Sequence, residues 1–276
     1  MEPTGAVLGE IVAACRQRLA EARVRTPLGY WQRAAEARSE RRDFARALAG
    51  DGSGRGPVRV IAELKRASPS RGLLRTRYRR REIAQGYAAA GASALSVLTE
   101  EQYFLGSIED LKQARDAVSL PVLRKDFILD GYQVYESAAA GADAVLLIAA
   151  VLSDGDLRDL IELCQSLRLA AVVEVHNEEE LDRALAAGAR IIGVNNRNLK
   201  TMKVSLETSF RLKDRIPSSC LSVSESGIRT AEDLRDLAVA GFDAALIGER
   251  LMTANDPGLA LAELLGGAKK LAAQQG

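Results

Sequence analysis

The 276-residue chain holds one histidine and three cysteines, a scarcity that removes several kinds of chemistry at once. His176 alone leaves no His-rich zinc site, and a Ser-His-Asp triad would have to use it as its sole base. Cys15, Cys164 and Cys220 lie far apart in apolar contexts, with no C-x-x-C pair. They read as buried, reduced thiols of a cytoplasmic protein. No apolar run reaches the roughly 20 residues of a membrane helix. Glu2, Glu10, Arg16 and Arg18 interrupt the start of the chain, where a secretory signal would be apolar. Neither sign of charge dominates: 38 basic against 37 acidic residues argue against a nucleic-acid surface. The local run Arg75, Arg77, Arg79, Arg80 and Arg81 reads as a solvated loop and helix start. No G-x-G-x-x-G follows an early strand, so a dinucleotide fold has no signature.

What the sequence does have is a repeat. Short Val-, Ile- and Leu-rich runs occur at 58–64, 94–98, 121–123, 144–148, 170–175, 191–194, 221–223 and 244–247. Such runs suit parallel strands buried on both faces. Stretches with helical spacing separate them, for example 108–118, 134–140, 157–167, 181–187 and 234–240. Ala-Gly-Ala or Ala-Gly-Phe closes the helical stretch before the second, fourth, sixth and eighth strands, at Gly91, Gly141, Gly188 and Gly241. A glycine there tolerates the left-handed backbone that stops a helix. Eight strand–helix units with this self-similarity predict an α/β fold, a (β/α)8 TIM barrel, which typically takes roughly 250 residues. The hydrophobic content of 47% supplies its core. The expected organisation is one structural domain. Residues 1–57 form an N-terminal helical extension, helical over 7–19 and 30–48 with a glycine-rich loop at 50–57, and residues 58–276 form the catalytic barrel. The extension serves either as a plug for one barrel end or as a cover for the substrate. The apolar stretch 259–271 supplies the eighth helix.

Sites in such barrels lie at the C-terminal ends of the strands. Here those ends are charged. The first reads Glu63-Leu64-Lys65, the third Arg124-Lys125-Asp126, the fifth ends at Glu174, the sixth at Asn195-Asn196-Arg197 and the seventh at Glu225-Ser226. Alternation along the first strand puts Ile61, Glu63 and Lys65 on the inner face and apolar Val60, Ala62 and Leu64 against the helices. Unpaired buried charge costs several kcal/mol, so these groups must pair or serve a function. The seventh and eighth strands run into Ser226-Gly227 and Gly248-Glu249, glycine turns whose amides can hold a phosphate, and Ser68 after the first strand adds a hydroxyl.

Six segments carry a resemblance: residues 62–70, with Glu63, Lys65 and Ser68; 96–100; 123–127, Leu-Arg-Lys-Asp-Phe; 172–176, Val-Val-Glu-Val-His; 193–199, Gly-Val-Asn-Asn-Arg-Asn-Leu; and 224–228, Ser-Glu-Ser-Gly-Ile. Together, in order and in register, they resemble indole-3-glycerol-phosphate synthase. The resemblance implies a carboxy-lyase of tryptophan biosynthesis that closes an indole ring on a small phosphorylated substrate without metal or organic cofactor. It implies Lys125 as the acid for ring closure, with Lys65 and Glu174 as acid and base for dehydration; the division between the two lysines stays open. Glu63 and Asn195 would orient the substrate, and Glu225 and Ser226 would join the polar network. Ser68, Gly227, Gly248 and the backbone of Glu249 would hold the phosphate, with Phe127 and Leu199 packing on the anthranilate ring. Some members carry serine where this chain has Glu249, so its carboxylate is expected to turn away from the dianion. His176 reads as a packed or exposed histidine. No membrane or nucleic-acid partner is expected, and an association with another tryptophan-pathway enzyme stays open. The alternatives are a phosphoribosylanthranilate isomerase, expected to use a Cys and an Asp, a tryptophan synthase α-subunit, expected to use two carboxylates, or a non-catalytic barrel that binds a sugar phosphate. None of these explains Lys65 and Lys125 together.

Overall fold

A computed structural model describes residues 5–49, 57–198 and 201–273. The expected loop at 50–57 therefore lies, apart from Pro57, outside the described residues, as does Leu199. Eight parallel strands close into a barrel: β1 Arg59–Leu64, β2 Ala94–Leu98, β3 Val122–Lys125, β4 Ala144–Ile148, β5 Ala170–Val175, β6 Ile191–Asn195, β7 Leu221–Glu225 and β8 Ala244–Ile247. Neighbours in sequence are neighbours in space, and β1 pairs with β8 to complete the ring. Three strands run further than their apolar runs suggest. β3 reaches Lys125, β6 reaches Asn195 and β7 reaches Glu225, because polar strand ends continue the barrel pairing, as in Asn195 opposite Glu225.

Side chains sort into two cores. Val60, Ala62 and Leu64 join the outer layer between strands and helices, while Ile61, Leu123, Leu146, Val172 and Leu246 fill the barrel interior. This is the alternation expected for β1. The four glycines of the helix-to-strand repeat all have positive φ, 100° at Gly91, 107° at Gly141, 89° at Gly188 and 85° at Gly241, so each ends its helix in a left-handed turn.

The N-terminal segment forms three helices, α1 Gly5–Arg25, α2 Leu28–Ala37 and α3 Phe44–Ala49. The expected single helix over 30–48 is broken at residues 38–43. There Arg38 donates to the carbonyls of Ala138 (3.0 Å) and Ala142 (2.8 Å), and the Arg42 backbone N–H donates to Asp143 (2.9 Å). Those bonds draw the chain off a helical path and onto the barrel floor. α3 then inserts Phe44 and Leu48, each 1% exposed, into the barrel interior at the N-terminal ends of the strands. α2 packs along α6 (Gly131–Ala140), with Trp31 donating to the Tyr132 hydroxyl at 2.8 Å. α1 lies at the opposite end, over the mouth. One barrel thus carries the segment on its floor, flank and mouth. The arginine run is not simply solvated: α4 begins at Arg80, Arg80 pairs with Asp110, and Arg75 donates to the carbonyls of Met252, Ala254 and Asn255.

Candidate active site

The barrel mouth encloses a cavity of about 410 Å³ at the C-terminal strand ends. Glu63, Lys65, Ser68, Lys125, Phe127, Glu174, Asn195, Glu225, Ser226, Gly227, Gly248 and Glu249 all line it, so twelve of the thirteen expected site residues converge on one space. The thirteenth is Leu199, outside the described residues. Strand geometry does this work: residues at matching heights on β1, β3, β5 and β7 point inward together.

Two ion-paired groups occupy the mouth. Lys65 Nζ donates to Glu63 Oε1 at 2.7 Å, and the Ser96 hydroxyl lies 3.4 Å from Glu63 Oε2. Across the barrel, Lys125 Nζ donates to Glu174 Oε2 at 2.9 Å and sits 3.0 Å from Glu225 Oε2. The contact to Glu225 is an ion-pair distance without hydrogen-bond alignment. Both Glu225 oxygens lack a hydrogen-bond partner among the described residues, although the side chain is buried. Two glycines make room for these carboxylates. A Cβ on Gly248 would overlap Glu63 Oε1, and one on Gly193 would overlap Glu225 Oε1.

Burial and charge act against each other here. Burial alone would pull the Lys125 ammonium down, but Glu174, Glu225 and Glu63 outweigh it and raise the group above ordinary lysine. An acid lysine tuned downward, as general acid chemistry near neutrality suggests, is therefore not what the unliganded site holds; three carboxylates keep Lys125 fully charged. Burial also favours a neutral Glu174, yet Lys125 and His176 hold its carboxyl well below the usual range, helped by Asn195. For Glu225 burial wins. Lys125 opposes it incompletely and Glu174 adds to it, leaving the carboxyl raised to about 7. Lys125 is shared: it donates a hydrogen bond to Glu174 and lies at ion-pair distance from Glu225.

At the turns expected to hold the phosphate, Ser226 (φ 68°) and Gly227 (φ 86°) are consecutive left-handed residues. The turn is fixed from below by Asn196, whose Nδ2 donates to the carbonyls of Glu225 (3.0 Å) and Ser226 (3.1 Å). Gly248 precedes the short helix α11, Glu249–Met252. The Glu249 carboxylate is taken by Arg71 at 3.1 Å and lies 3.8 Å from Arg197. It turns toward these rim arginines instead of lying free.

Several lining residues were not singled out from sequence. Arg71, Arg197, Arg229 and Arg250 also line the cavity, and Leu8 and Ile11 of α1 close the mouth from above. α1 is tied there by Arg18 to Glu100 (2.7 Å) and by the Cys15 thiol to the Phe127 carbonyl (3.1 Å). The apolar pattern of 7–19 was visible, and a cover for the substrate was one of the two roles left open for the extension. Arg124 and Asp126, which flank Lys125, pair with each other at 3.0 Å, with Glu136 and Thr99 as further partners; Asp126 lines the cavity and Arg124 does not. No cluster of three or more His, Cys, Asp or Glu side chains is placed to hold a metal, and no helix is long and apolar enough to cross a membrane, among the described residues.

A family model described as indole-3-glycerol phosphate synthase matches residues 8–264. The indole-3-glycerol phosphate synthase of Polaromonas naphthalenivorans (strain CJ2) is 51% identical over 260 residues, covering 94% of this chain and 98% of its own. That of Albidiferax ferrireducens is 52% identical over 258 residues, covering 94% and 97%. Among solved structures, 3-hexulose-6-phosphate synthase from Salmonella typhimurium superposes with a TM-score of 0.62 at 13% identity, covering 77% of this chain and 99% of that one. At that identity the likeness is one of fold alone.

Proposed function

The chain belongs to the indole-3-glycerol phosphate synthase family, and from that membership we infer which of its own residues close the indole ring. The enzyme is a carboxy-lyase that converts 1-(2-carboxyphenylamino)-1-deoxyribulose 5-phosphate to indole-3-glycerol phosphate, with loss of carbon dioxide and water. The observation that carries the assignment of roles is the pair of lysine–carboxylate groups facing one cavity, Lys65 with Glu63 and Lys125 with Glu174 and Glu225.

In the first step a ring carbon of the substrate bonds to its ketone carbon, and the ketone oxygen gains a proton. Lys125 donates it. The ammonium is a full charge in the resting site, and a developing alkoxide is basic enough to take its proton. Loss of carbon dioxide then restores the aromatic ring. Dehydration follows: the hydroxyl leaves as water while a proton is removed. Lys65 protonates the leaving oxygen and Glu174, kept ionised, takes the proton. Glu63 holds Lys65 charged and in place. Asn195 and Glu225 orient the substrate, and the unpartnered Glu225 oxygens are acceptors for its hydroxyl or amine hydrogens. Ser226 shapes the adjoining turn. The phosphate takes the amides of Gly227, Gly248 and Glu249 and the Ser68 hydroxyl. The substrate ring packs on Phe127, with Leu199 as its partner in the apolar slot, where such contacts add about 1 kcal/mol.

Turnover of each variant, followed by indole absorbance or fluorescence, tests these roles. Lys125→Ala should lose several orders of magnitude in kcat with the fold retained. Glu174→Gln should slow dehydration and let an intermediate accumulate. Near-normal turnover in Lys125→Ala removes that residue from the acid role, and an unchanged rate in Glu174→Gln removes the base.

A further inference from the structure

His176, the only histidine of the chain, lies two residues beyond Glu174, just past the end of β5. Its side chain is 9% exposed, and each ring nitrogen faces a carboxylate. Nδ1 is 2.9 Å from Glu180 Oε2 on α8 (Glu178–Ala186), and Nε2 is 3.4 Å from Glu174 Oε1. Glu180 is fixed independently of the imidazole. Its Oε2 also accepts the His176 backbone N–H at 2.8 Å, and its Oε1 accepts Asn177 Nδ2 at 2.8 Å.

A carboxylate that accepts several donors stays ionised, so Nδ1 must carry a proton. An unprotonated Nε2 would then point a lone pair at Glu174 Oε1 in a buried setting, two acceptors with no hydrogen between them. Nε2 has no hydrogen-bond partner among the described residues that would relieve this. A proton on both nitrogens removes the conflict. The charged groups acting on the imidazole are Glu174 from its own strand, Glu180 from α8 and Glu225 from β7, with Lys125 beyond Glu174.

We propose that His176 is a positioning residue: an imidazolium anchored by Glu180, it occupies Oε1 of Glu174, so that Oε2 is the oxygen presented to Lys125 and to the substrate. This rests on the reading of Glu174 as the base and adds what holds that base in its ionised form and orientation.

Because the chain has one imidazole, 13C-labelled histidine in the full-length enzyme gives a single ring signal to titrate by NMR. Its midpoint should lie above the roughly 6.5 of an ordinary histidine and should fall in both Glu180→Gln and Glu174→Gln. A wild-type midpoint at or below that value, or one indifferent to Glu174→Gln, overturns the proposal. His176→Gln keeps a hydrogen-bond donor and removes the charge. It should lower kcat about ten-fold, leave KM within about two-fold and move the acid limb of the kcat profile upward. Unchanged kcat and an unmoved limb also overturn it. If this variant does not fold, the wild-type titration decides. Full turnover in Glu174→Gln would instead sink the base assignment, whereas lost turnover there with a histidine that ignores the substitution sinks only the role given to His176.

Discussion

Replacing Lys125 by methionine keeps side-chain length and removes the cation shared by two buried carboxylates, 2.9 Å from Glu174 and 3.0 Å from Glu225. At an effective dielectric constant of about 20, each contact is worth about 6 kcal/mol of attraction. Little of that appears as net stability, because burying the ammonium itself was unfavourable. Breaking a buried pair from one side typically costs about 3–5 kcal/mol. The lower end applies here, since Glu225 already sits near neutrality and can escape by taking a proton. The loss must depend on pH. In the wild type the folded Glu174 carboxyl is depressed, so its stabilising contribution is present above the unfolded value and is lost as the pH falls through the folded one. Without Lys125, burial and Glu225 raise Glu174 above its unfolded value. Its contribution is then favourable only at acid pH and disappears as the pH rises. The gap between the variant and the wild type should therefore widen as the pH rises, to about 6–10 °C near pH 8. Circular-dichroism melts across that range, run beside turnover assays, give the comparison. Parallel melting curves at every pH would refute the claim that Lys125 holds Glu174 ionised.

Other substitutions probe other parts of the site. Gly248→Ala places a methyl group against Glu63 Oε1, so it should displace the Glu63–Lys65 pair, lower kcat and raise KM; kinetics unchanged in both would show that the carboxylate moves aside freely. Phe44→Ala should cost about 3–5 kcal/mol in urea unfolding, because the ring is 1% exposed inside the barrel floor, and a loss under about 1 kcal/mol would mean the plug contributes little packing. Glu249→Gln should free Arg71 for the phosphate and lower KM about two- to three-fold at low salt, with the gain vanishing at high salt, since both side chains are partly exposed. A raised KM would instead make the Glu249 carboxylate part of the binding site.

The strands could be read from sequence because they are buried on both faces and thus uniformly apolar, and the helix stops because glycines 91, 141, 188 and 241 supply the left-handed turn. The inward lysines and glutamates stood out because charge follows apolar runs on the strands that carry them. The same signal covers Arg124, which does not line the cavity. Inward and outward positions alternate along β3, so Lys125 enters the mouth and Arg124 does not, while Asp126, just past the strand, lines the cavity and pairs with Arg124. What stayed hidden depends on partners far away in sequence. The break at 38–43 is set by carbonyls and a carboxylate about 100 residues downstream, and the direction of Glu249 by Arg71 and Arg197 on two other loops. His176 looked unremarkable because its two carboxylates become its neighbours only when β5 and α8 are built.

Mooring the leading segment at both poles of the cylinder restricts how the entrance can open. Phe44 and Leu48 anchor residues 28–49 from beneath, and Trp31 pins them to the flank, so the whole segment cannot detach to admit a ligand. α1, set off by the turn at Thr26-Pro27, is tied to the barrel by Arg18 to Glu100, Arg23 to Asp130 and the Cys15 thiol to the Phe127 carbonyl. Removing the first 25 residues alone would leave a sealed base and a permanently unroofed entrance, separating ligand admission from the folding of the cylinder.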